Sequence, residues 1–145
     1  MSTLAYPATR YLPPALVDVS SKEERERLSP SALRAFFNIV DRWGIRDDDA
    51  KQLLGGMSNG PYYERKKSPE GYVLDSDTLL RISYLIGIFK ALNILHSTEL
   101  ADRWVSLPNT NPIFKGIAPL EYMVRGGIPA LQTVRRLVDA RRGGL

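Results

Sequence analysis

Between Asp77 and Leu95 the chain reads DTLLRISYLIGIFKALNIL, a stretch that is apolar nearly all round a helical wheel. Only Arg81, Ser83, Lys90 and Asn93 give it a wet stripe. Such a helix is poorly suited to a surface; it is central to the monomer or shared with a second protomer. Gly87 within it would let another helix approach closely. Asp75 or Ser76 is placed to cap its start, and His96 ends it, where a ring N–H can answer free carbonyls. Its most apolar run, Ile82 to Phe89, is too short to span a bilayer and is closed by Lys90. A soluble protein without membrane contact is therefore expected.

The other segments also carry helix punctuation, and no alternating apolar–polar run of the strand type appears. The fold expected is all-α, with helical subdomains meeting around the long central helix. Ser29 as N-cap and Pro30 at the first helical position predict a helix over 30–43, with Leu33, Phe36, Phe37, Val40 and Trp43 on one face and Gly44 as its stop. Further helices are expected over 47–54, 59–67, 76–95, 98–106, 118–125 and 129–142, with Ser97 or Thr98 capping the fifth. Residues 1–28 read as an extended arm. Pro7, Pro13 and Pro14 stand among Tyr6, Tyr11 and Leu12, and the run KEERER forms a short charged turn with a solvated face. The division that follows is an arm over 1–28, a helix-turn-helix and dimerisation domain over 29–96, and a small C-terminal domain over 97–145.

Composition narrows the chemistry. With no cysteine in 145 residues, disulfides, thiolate metal sites and cysteine nucleophiles are excluded. That fits a reducing cytosol, as does an amino-terminal stretch without the charged and apolar regions of a secretory signal. A cytoplasmic location is expected. The single histidine, His96, has no cluster of Asp, Glu or Cys beside it and reads as structural. No cofactor, metal or small-molecule substrate is expected. The net charge is +4, and the excess is uneven: residues 101–145 hold seven cations against three acids, whereas 1–28 hold four of each. The C-terminal region is thus suited to an acidic surface or anionic pocket.

The stretch from Ala50 to Lys67, AKQLLGGMSNGPYYERKK, resembles helix-turn-helix proteins. A small Ala50 stands where two helices cross closely, Leu54 fills the core, and Gly55-Gly56 permits the bend. Ser58 would cap a recognition-type helix whose early residues face base edges, while Arg65, Lys66 and Lys67 run toward phosphates. The candidate DNA contacts are Ser58, Asn59, Tyr62, Tyr63, Arg65, Lys66 and Lys67. Gly60-Pro61 makes this helix abbreviated, and an αα-hairpin with an ordinary polar face is the competing reading. Gly56-x-Ser58-x-Gly60 has the form of a nucleophile elbow, but that motif needs a preceding strand and a nearby base, and Gln52-Leu53-Leu54 reads as helix. Asp47-Asp48-Asp49 are first-turn acids, favoured there by the helix dipole, rather than metal ligands.

The last third, from Trp104, is two short helices with specific punctuation. Pro119 opens the first, Gly126-Gly127 ends it, and Pro129 opens the second. Trp104, Pro108-Asn109, Phe114, Gly116, Pro119-Leu120-Glu121-Tyr122-Met123, Gly126-Gly127 and Val134…Leu137…Asp139-Ala140-Arg141, in that order, resemble the C-terminal toxin-binding domain of the Xre/MbcA/ParS antitoxins. The resemblance implies a non-catalytic type II antitoxin. It further implies a RES-domain toxin that degrades NAD as partner, neutralisation by covering the toxin's active site, and autorepression through the helix-turn-helix on operator DNA. A homodimer is expected from the central helix. The candidate toxin contacts are Tyr122, Arg125, Arg135, Arg136, Asp139, Arg142, Gly143, Gly144 and Leu145; Asp139 is within reach of both Arg135 and Arg142. The alternative is a DNA-binding regulator whose C-terminal domain only dimerises.

Overall fold

The computed structural model describes residues 18–142. They form α1 (Lys22–Trp43), α2 (Asp47–Leu53), α3 (Asn59–Lys67), α4 (Ser76–Leu95), α5 (Thr98–Trp104), a 3-10 turn (Pro112–Phe114) and α6 (Pro119–Arg142), with no strand among the described residues. The all-α expectation holds.

The centre is α4. It packs most extensively on α6 and α1, and then on α5, burying Leu79, Ile82, Leu85, Ile88, Ala91 and Leu92. At 20 residues it is long and apolar enough to cross a membrane by length and composition. This corrects the expectation that its apolar run is too short. Here that apolar surface serves the helix packing of the core. α1 and α4 run side by side in the same direction: the Leu74 N–H just before α4 donates to Ser29 Oγ at 2.9 Å, and farther along the Trp43 and Phe89 rings lie 6.1 Å apart.

The first helix starts earlier than its sequence signal. Ser21, not Ser29, is the N-cap, its side chain accepting from Glu24 N–H at 3.3 Å. Residues 22–28 are therefore helical and not part of an extended arm; the rest of that arm, 1–17, lies outside the described residues. Ser21-Lys22-Glu23-Glu24 supplies a capping-box pattern of its own, and acids in the first turn suit the positive end of the dipole. Pro30 sits inside α1. Ser29 is fully buried, donating to the Arg25 carbonyl and accepting from Leu74, so it ties α1 to the entry of α4.

Other punctuation behaves as the sequence indicates. Gly44 closes α1 at φ 65°, Asp75 caps α4 by accepting from Thr78 N–H at 2.8 Å, and Ser97 caps α5 by accepting from Leu100 N–H. The two helices expected over 118–125 and 129–142 abut within α6 and break at Gly127, whose φ of 65° and ψ of −148° are accessible essentially to glycine alone. Replacing Ser29 with Ala should leave the buried Leu74 N–H without an acceptor and cost about 1–3 kcal/mol. Equilibrium urea unfolding of S29A against wild type measures this.

Candidate functional site

The helix-turn-helix unit is built as its residues require. Ala50 is fully buried between the helices, Leu53 and Leu54 enter the core, and Gly55 and Gly56 take positive φ in the turn. α3 then presents a mixed surface. Ser58 occupies the N-cap position with extended backbone, but its side chain makes no capping hydrogen bond; its capping role is not realised. Tyr62, expected to face DNA, is fully buried. A large aromatic on a nine-residue helix is the residue that anchors α3 to the core, and Phe37 of α1 packs edge-on against it at 5.5 Å.

One carboxylate organises what remains exposed. Asp47, the first residue of α2, accepts from Tyr62 Oη at 2.7 Å, from Tyr63 Oη at 3.4 Å and from Lys66 Nζ at 2.9 Å. Lys51 donates to Asn59 Oδ1 at 2.5 Å and sits over the Tyr62 and Tyr63 rings. Arg65 folds back: its guanidinium stacks 4.4 Å from the Tyr72 ring centre and donates to the Pro61 carbonyl. Lys67 is exposed. Tyr63, 47% exposed, remains available to a partner. Lys66 and Tyr62, donating hydrogen bonds, hold the Asp47 carboxyl below its ordinary value of 3.8. Burial first, and then the bond to Asp47, pushes the Tyr62 hydroxyl up. A depressed folded pKa gives stability that is present above the ordinary value and lost as pH falls through the folded one. The triple acid thus has partners throughout, Asp48 with Lys51 at 3.2 Å and Asp49 with Arg46 at 3.5 Å.

The expected toxin contacts do not share one surface. Tyr122 is half-buried, edge-on to Phe114 at 5.2 Å, with Trp104 on the other side of that ring cluster. Arg125 is exposed and paired with Glu121 at 2.7 Å; with Arg46 and Asp49 these residues border a cleft of about 390 Å³ between α2 and the first half of α6. Arg135 turns the other way. It pairs with Asp139 at 2.8 Å and lies across Gly87, where an added Cβ would stand 1.8 Å from its Nη1. Gly87 does permit close approach, and Arg135 is the group that uses it, so its guanidinium packs in the α4–α6 contact while Asp139 pairs with it along α6. Gln132 Nε2 donates to Tyr84 Oη in the same contact. Arg136 and Arg142 are exposed, as is Arg141. Gly143, Gly144 and Leu145 lie outside the described residues.

Two family models divide the chain. The Antitoxin Xre-like helix-turn-helix domain matches residues 22–87, and the Antitoxin Xre/MbcA/ParS C-terminal toxin-binding domain matches residues 90–144. The chain belongs to the Xre/MbcA/ParS antitoxin family. It is also similar to an uncharacterized protein of Sinorhizobium fredii (strain NBRC 101917 / NGR234), y4oB, at 40% identity over 116 residues, which cover 79% of this chain and 87% of that protein. No solved structure matches the chain. A toxin is thus the antitoxin's partner, engaged through its C-terminal domain.

Two features of this antitoxin escape sequence reasoning. Asp47 reads as an ordinary first-turn acid, since nothing local marks an acceptor for residues 15 and 19 positions later. Arg135 reads as part of the partner surface because a Gly87–Arg135 contact spans two helices distant in sequence; the glycine itself is the available signal. Gly87→Ala should expel the Arg135 guanidinium and cost about 1–3 kcal/mol, but much less in an Arg135→Ala background. A double-mutant cycle by thermal or urea unfolding reads the coupling.

Proposed function

We propose that this antitoxin is non-catalytic, neutralises a RES-domain, NAD-degrading toxin in the cytoplasm by covering its active site, and represses its own operon through α2 and α3. The observation that carries the proposal is a toxin-binding domain match ending in a helix with three exposed arginines, Arg136, Arg141 and Arg142. The RES identity rests on the resemblance of residues 104–145. Arginine forks suit an acidic rim. Operator binding draws support from the Xre-like match over 22–87.

Self-association is part of the same proposal, with a second copy seated on the groove between α1 and α4. That groove, about 550 Å³, is lined by Leu28, Ala32, Ala35, Leu80 and Ile86, and farther along α4 Ile94 is 61% exposed. Small residues on α1 allow close approach. Lys90 is the charged residue on the groove's lining, and it is exposed. A two-fold axis across this groove would bury the same apolar lining on both copies. A dimer also supplies two half-site contacts to an operator. Sedimentation should show a dimer at micromolar concentration. Ala35→Glu, which puts a charge into the apolar lining, should give a monomer. A monomeric wild type excludes this arrangement.

The neutralisation assay is NAD consumption by a RES-domain toxin encoded beside the antitoxin, titrated with variants. Arg136→Glu and Arg142→Glu should each loosen docking, by about 2–5 kcal/mol where the contact is desolvated. Removal of residues 143–145 should weaken inhibition more than binding. Complete inhibition by all three variants would place the neutralising surface elsewhere, and an inert RES protein would reject the toxin class.

A further inference from the structure

The α2–α3 unit offers DNA less positive charge than its sequence advertises. Four carboxylates, Asp47, Asp48, Asp49 and Glu64, match four cations, Lys51, Arg65, Lys66 and Lys67, so the two helices carry no net charge. Three of those cations are engaged within the protein. Lys51 is held by Asp48 and Asn59, Arg65 lies on Tyr72, and Lys66 is bonded to Asp47. Phosphate attraction comes from cations whose condensed counterions are released on binding. A lysine already neutralised by a carboxylate contributes little of that, and the carboxylate itself repels the incoming phosphate.

We propose that Asp47 is an electrostatic brake on nucleic-acid binding, holding Lys66 in a salt bridge that a DNA phosphate must displace. This rests on the reading that α2 and α3 bind DNA. The position suits the role: Asp47 also accepts from the buried Tyr62 and from the exposed Tyr63, so the carboxylate is fixed beside the surface that α3 presents. Asp48 has no comparable tie among the described residues, its side chain being 89% exposed and its bridge to Lys51 lying within α2.

Asp47→Asn removes the charge while keeping an oxygen acceptor for Tyr62. The probe is a fluorescent duplex spanning the promoter region of the antitoxin's own gene, titrated by anisotropy over a range of salt, with a scrambled duplex of equal length alongside. D47N should bind roughly three- to tenfold more tightly at low salt. Its log affinity should fall more steeply with log salt, by up to ~0.9. Glu99→Gln, an equal charge change on α5, should do neither. Lys66→Gln should cost little in wild type and much more in D47N, whereas Lys67→Gln should cost the same in both.

A wild type that binds while D47N binds no more tightly overturns the brake and leaves the DNA-binding reading standing. The brake is equally overturned if E99Q matches D47N, or if K66Q costs wild type as much as K67Q. Binding by D47N where wild type shows none supports the brake strongly. No binding by either rejects the DNA-binding reading and the brake with it. Thermal melts of each variant guard the comparison, and if D47N melts early the K66Q against K67Q contrast in the wild-type background decides.

Discussion

An apolar helix must be covered, and the covering of α4 sets nearly everything else. α1 lies along one side and α6 along another, so the two ends of the described chain are fixed against the same central element. The family matches over 22–87 and 90–144 meet inside this helix. It is therefore not a linker between two modules but a wall common to both. The DNA-type unit and the toxin-binding unit share a core, and α2 also touches α6 directly. Buried apolar area of this kind is the main favourable term in folding, so neither half keeps its full core without the other.

Within that frame, specific polar contacts fix register where apolar packing alone would allow sliding. Ser29 to Leu74 locks the start of α4 against α1. The Gln132 bond to Tyr84 and the Arg135 side chain over Gly87 do the same for α6. Arg42 paired with Asp102 joins α1 to α5, with the same guanidinium over the Phe89 ring of α4. Each of these joins residues far apart in sequence, and each carries little meaning until the helices are packed.

That separates what the sequence disclosed from what it concealed. The all-α class, the central helix and the caps at Asp75, Ser97 and Gly44 depend on local chemistry and on period, and they were legible. So was the break at Gly127. The start of α1 was not, because two cap signals compete. Ser21 with Glu24 and Ser29 with Pro30 each read as a beginning, and the tertiary bond from Ser29 to Leu74 draws the second into the helix interior. Tyr62 was misplaced for a related reason: α3 has a single buried residue, so no periodic stripe marks its inner face. The toxin-side set scattered because residues 135 and 136, adjacent in sequence, lie about 100° apart on a helix, so one meets α4 while the other stays exposed.

The charge distribution carries the last step. A net +4 is modest, but its location matters more than its size. Between Arg46 and Lys67 nearly every cation has an internal carboxylate, carbonyl or aromatic partner, whereas the final turns of α6 hold exposed arginines with Asp139 already committed to Arg135. Exposed pairs contribute little to stability, so compensation at α2 and α3 does not serve the fold chiefly. Its consequence is to lower the field that this surface projects, leaving the C-terminal helix as the more strongly attracting pole. The field of the chain is therefore strongest at the end of α6, toward any anionic partner. Long-range attraction depends on uncompensated charge within a Debye length of about 8 Å at physiological salt, which is why the placement of these cations counts for more than their number.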